Sequence, residues 1–120
     1  MKRLFFALSL VAVLSLFAAP ALAASDPMCE HEAMTIQSLH DCVLHASVAG
    51  HITNPGFATA LLSQVNAAQT AFDHGHPDVA ATILKAFIAT VKAQSGKKID
   101  EMHAGHMVEH ANMVIAALGG

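Results

Sequence analysis

The chain has 120 residues, a formal charge of −3, nine histidines, two cysteines, and neither tryptophan nor tyrosine. A mildly acidic chain with no basic patch and no stacking platform is a poor nucleic-acid binder. The missing Trp and Tyr also argue against a carbohydrate-binding face built on exposed rings.

Residues 1–23 read as a secretory signal peptide. Met1-Lys2-Arg3 is a positive start, Leu4 to Ala19 is an uncharged apolar run, and Ala21-Leu22-Ala23 is a small-x-small cleavage signal. The run approaches membrane-spanning length, but Pro20 and the alanines after it suit cleavage, so no stable membrane anchor is expected afterwards. Cys29 is too far from the cleavage point for a lipoprotein. The expected location is the periplasm or the exterior. Cleavage leaves about 97 residues, one domain by usual sizes, and takes the charge from −3 to −5.

Residues 24–35 form an ambiguous N-terminal segment. Asp26-Pro27 followed by Glu30 resembles a helix start, and Thr35 offers a second one. Ile36, Leu39, Val43 and Val48 mark a first helix ending near Gly50. Asn54-Pro55-Gly56 is the clearest turn signal. From Phe57 a second helix carries a seam of Phe57, Leu61, Val65, Ala68 and Phe72 and ends at Gly75. A third helix starts at Pro77, which suits a first helical position, and ends before Gly96. Val79, Ile83, Phe87 and Val91 recur along it every four residues, with Ala80, Leu84 and Ile88 beside them. The short link at Gly75 makes the second and third helices an antiparallel hairpin. A last helix spans roughly Asp100 to Leu118. With almost no strand signal, the expectation is an all-α, compact four-helix bundle-like domain over residues 36–118. Its small core should be marginally stable unless something staples it.

The pattern Ile36-x-x-Leu39-x-x-x-Val43, then Gly50-x-Ile52, then Leu61-Leu62-x-x-Val65-x-x-Ala68, resembles the FIMAH domain. The most specific part is Leu84-x-x-Phe87-Ile88-x-x-Val91-x-Ala93-Gln94-x-Gly96-Lys97-x-Ile99. That family is a small helical module of secreted and cell-surface bacterial proteins, often appended to hydrolases. The resemblance implies a non-catalytic accessory module acting through binding or assembly with an envelope or extracellular protein, without a cofactor. It carries over no catalytic residue. This chain departs from the usual setting in standing alone behind its leader and in its histidine content.

An alternative reading is a periplasmic metal-binding protein. His103, His106 and His110 fall within an arc of roughly 60° on the apolar face of the last helix. Cys42 and His45, three apart on the first helix, could complete a zinc or copper set, with Met107 a soft ligand for copper. The opposing reading makes these histidines hydrogen-bonded core residues. His74 and His76 read as solvated loop residues, and His40 and His51 show no usable pattern.

In an oxidising compartment, Cys29 and Cys42 are expected to pair. The bridge closes a loop of about 14 residues, worth roughly 3 kcal/mol in the chain-entropy model. An unbroken helix from Pro27 would hold the two cysteines about 20 Å apart, whereas a disulfide needs Cα atoms within about 7 Å. The bridge therefore requires a break between Glu30 and Thr35. Enzyme chemistry built on Cys42 is the weakest reading. No serine has a Gly-x-Ser-x-Gly setting, His-Glu-x-x-His is absent, and no phosphate loop is present.

Overall fold

The computed structural model describes residues 33–120. The leader, the first part of the N-terminal segment and Cys29 lie outside the described residues. Four helices follow in order: α1 Ile36–Val48, α2 Pro55–Asp73, α3 Pro77–Gln94 and α4 Glu101–Ala117. α1 packs on α2 and α4, and α3 packs on α2 and α4, so contacts close into a ring while the diagonal pairs stay apart. This is the expected all-α bundle. Among the described residues no helix is long and apolar enough to cross a membrane.

Each helix starts where its sequence carries a start signal, a capping side chain for α1, α2 and α4 and a first-position proline for α3. Thr35 is extended and accepts the Ser38 N–H, while the Ser38 hydroxyl accepts the Thr35 N–H, a reciprocal capping box. Ala33 to Thr35 are non-helical, so a helix running unbroken from Pro27 is excluded. Asn54-Pro55 is not a free-standing turn but the start of α2. The Asn54 side chain accepts the Phe57 N–H, and Pro55 takes a position that needs no donor. Pro77 opens α3 as expected, and Asp100 caps α4.

Glycines close α1 and α2 in the same way. At Gly75, φ is +79°, the His76 N–H reaches the Ala71 carbonyl, and the Gly75 N–H reaches that of Phe72. At Gly50, φ is +85°, and the His51 and Gly50 N–H groups reach Ala46 and Ser47. Both are Schellman closures that need a left-handed residue, which glycine supplies without a Cβ penalty.

Phe87, Leu39, Leu61, Leu84, Met107, Val43, Val65, Val91 and Val114 fill the centre. The stripe on α3 sits slightly off the sequence expectation. Ala80, Ala81, Leu84, Phe87, Ile88 and Val91 are buried, whereas Val79 is exposed. Phe72, expected in the α2 seam, is also exposed. Both lie beside the α2–α3 turn, where less of the bundle is available to cover them.

Two further core residues come from connectors. Ile52 and Ile99 are buried and face each other in a single antiparallel bridge. The Thr53 N–H donates to the Lys98 carbonyl and the Asp100 N–H to the His51 carbonyl, each at 2.9 Å. These bonds flank the isoleucines, making them a non-hydrogen-bonded pair whose side chains approach closely. The α1–α2 and α3–α4 connectors are thereby joined at one end of the bundle.

Candidate functional site

The joined connectors bring together three side chains that could ligate a metal: His51, Asp100 and His103. One donor atom from each lies within 4.8 Å of the others. The Gly50 closure ends α1 and turns the chain at His51. The bond from the Asp100 N–H to the His51 carbonyl then fixes Asp100 beside it. Asp100 caps α4, so His103 one turn later points back at the carboxylate. Asp100 Oδ2 accepts the His103 backbone N–H at 3.3 Å and lies 2.7 Å from Nδ1 of the same residue. The His51 and His103 rings stack with centroids 3.5 Å apart and planes 14° from parallel.

The electrostatics follow from this geometry. The hydrogen bond from the His103 side chain, then that from its backbone, holds the Asp100 carboxyl below its ordinary value of 3.8, against a smaller opposing effect of desolvation. His103 is buried, His51 half-buried and Asp100 exposed. An open cleft of about 540 Å³, lined by Gly50, His51, Thr53, Asp100 and Glu101 among others, adjoins the cluster.

The metal set expected from the sequence is not gathered. His103, His106, His110, Cys42 and His45 do not converge; among the described residues, His51, Asp100 and His103 are the group of three candidate ligands that does. His110 is a buried structural histidine. Its Nε2 lies 2.8 Å from the Ser38 hydroxyl and 3.3 Å from the Ala33 carbonyl. The Ser38 hydroxyl already donates to the carbonyls of Thr35 and Ala33. Its oxygen therefore accepts, and Nε2 of His110 carries the proton. That bond ties α4 to the capping box of α1. His106 and His45 are half-buried.

Cys42 is buried in the core. Among the described residues no cysteine is free. A sulfur buried in apolar surroundings is poorly placed to act as a metal ligand or a nucleophile. Cys29, its expected partner, lies outside the described residues.

Sequence reasoning found His103 but missed His51 and Asp100 as its partners. Asp100 was legible as an N-cap, and Asp-x-x-His has the spacing that brings a side chain at the third helical position back to the cap. His51 carries no local signal, because its place depends on a bridge between Ile52 and Ile99, 47 residues apart in sequence.

No curated protein and no solved structure matches the chain. The model of the FIMAH domain matches residues 36–116, from the first residue of α1 to the last turn of α4. Both connectors and the whole ring of helices fall inside that match. With the expected helices in the expected order, the chain belongs to the FIMAH domain family.

Proposed function

We propose that this protein is a non-catalytic helical module that works outside the cytoplasm by binding another protein. The leader-like residues 1–23 support the location, and the family supports the accessory role. One observation carries the mode of binding. At the bundle end opposite in chain direction to the joined connectors, a groove of about 370 Å³ lies between the start of α1 and the ends of α2 and α4. Met34, Ile36, Phe72 and Leu118 supply its apolar lining, and Thr35, Gln37 and Gln69 supply neutral polar groups. Phe72 is 45% exposed and Met34 39%. Among the described residues, no charged side chain lines the groove. Its occupant is therefore an uncharged apolar segment of a partner protein, held by burial and not by ion pairing.

The Cys29–Cys42 bridge belongs to the same proposal. It would tether the segment before Met34 to α1, close to the Met34 side of the groove, and staple a small core.

The test is site-specific photocrosslinking in the native host. A photoreactive phenylalanine analogue replaces Phe72 in one strain and Lys85, on the exposed face of α3, in another. The reading expects a discrete adduct with one envelope or extracellular protein from position 72 and none from position 85. No adduct at 72, or the same adducts at both positions, would overturn it.

A further inference from the structure

We infer that His51, Asp100 and His103 form a binding site for one late first-row divalent ion, with zinc(II) as the reference ion. This goes beyond the partner-binding groove and does not depend on it, since the two lie on different connectors and helix ends.

The donor set is the first reason. Two imidazoles and a carboxylate suit zinc and its neighbours in the transition series, and leave one position for a solvent molecule or another ligand. The adjoining cleft, lined by Thr53 and Glu101, gives that position access to solvent. Convergence is the second reason. Three donors lie within 4.8 Å of one another although they come from two connectors and a helix. Donors on a common tetrahedral zinc ion at about 2.0–2.2 Å stand roughly 3.4 Å apart. Binding therefore asks the widest of these separations to contract by up to about 1.4 Å, a shift within reach of a side-chain rotation.

The third reason is that the surroundings hold the donors in place. The backbone bond between Asp100 and His51 sets the separation of the two connectors. Asp100 Oδ2 and Nδ1 of His103 already stand 2.7 Å apart, so the ion would replace the proton between them and take both atoms as donors. The two rings are stacked, so their lone pairs run parallel instead of converging. One ring must turn to chelate, and His51 is the one, because His103 is buried and pinned by Asp100 whereas His51 is half-buried on a connector. The ion would then add a cross-link between the α1–α2 connector and α4, at the same junction that Ile52 and Ile99 seal.

The experiment is a zinc titration of the purified, untagged, disulfide-intact protein by calorimetry. It is run beside His51→Ala, Asp100→Ser, His45→Ala and His106→Ala. Serine keeps a capping oxygen at position 100 while removing the ligand, and circular dichroism confirms that each variant is folded. The site predicts one zinc per chain, a melting temperature that rises with zinc, and at least tenfold weaker binding in His51→Ala and in Asp100→Ser. His45→Ala and His106→Ala should bind as the parent does. No saturable zinc binding would overturn the inference, as would binding unaffected by His51→Ala. Binding lost in His45→Ala or His106→Ala would move the site to the other histidines and equally refute this assignment.

Discussion

Replacing Ile99 by alanine tests how the connectors are joined. Ile99 is 1% exposed, and its bridge partner Ile52 is 4% exposed. The substitution removes three buried side-chain carbons, about 2.4 kcal/mol of transfer free energy at about 0.8 kcal/mol per carbon. The space vacated is roughly 75 Å³, which adds up to about 1.8 kcal/mol if the site cannot collapse. Partial collapse gives an expected loss of about 2.5–4 kcal/mol. In a domain of this size that lowers the melting temperature by on the order of 10–25 °C. Urea unfolding followed at 222 nm is the assay, with the slope unchanged if the mutant remains a two-state folder. Val48→Ala, at a position 81% exposed, is the control and should stay within about 0.5 kcal/mol of the parent. The double mutant with Ile52→Ala should depart from additivity by about 0.5 kcal/mol or more, because the two side chains share one cavity. A loss below about 1 kcal/mol for Ile99→Ala would refute the claim that this connector is part of the core.

Three further outcomes follow from the same structure. Gly75→Val should cost about 1–3 kcal/mol by thermal melting; a Cβ there meets open space, so the cost is the +79° backbone angle alone. Ser38→Ala should cost about 1–3 kcal/mol, more than Thr35→Ala at about 1 kcal/mol, because it also removes the nearer hydrogen-bond partner of buried His110. The third outcome concerns pH. The Asp100 carboxyl lies below its ordinary value in the folded state. Its ionised form therefore stabilises the fold fully above 3.8, and that contribution disappears as pH falls through the lower folded value. The gap in melting temperature between the parent and Asp100→Asn, measured without metal, should be widest near neutrality and narrow below about pH 4. A gap that grows on acidification would contradict the sign.

The helices were legible because their signals are local. Pro77 and Gly75 bracket the α2–α3 turn, and α3 runs over Pro77–Gln94 as its pattern predicts. The fourfold repeats of α3 and the seam of α2 identified most of the core, though Val79 and Phe72 at one end of the hairpin stay exposed. Asn54-Pro55-Gly56 marks a boundary in the sequence but looks like a turn, since a capping asparagine followed by proline uses the same residues. The stripe of histidines on α4 was correctly placed on the buried side at His103 and His110. Its chemistry was not legible. His110 is committed to Ser38 across the α1–α4 interface, and His103 to Asp100 and His51 across the connectors. Periodicity along one helix shows which face a residue occupies. It does not show which loop lies opposite, and here the opposing loop supplied the partners.

The candidate site requires the two connectors to form one ordered junction that places His51, Asp100 and His103 together. Amide hydrogen exchange of the folded protein tests that junction directly. The Thr53 and Asp100 N–H groups donate to Lys98 and His51 across it. Both amides should exchange slowly, with protection approaching that of the buried turns of α4 and far above that of Lys97, whose bond is local to its own turn. Fast exchange at Thr53 and Asp100, with the helices still protected, would mean that the connectors move independently and that the three side chains form no common site.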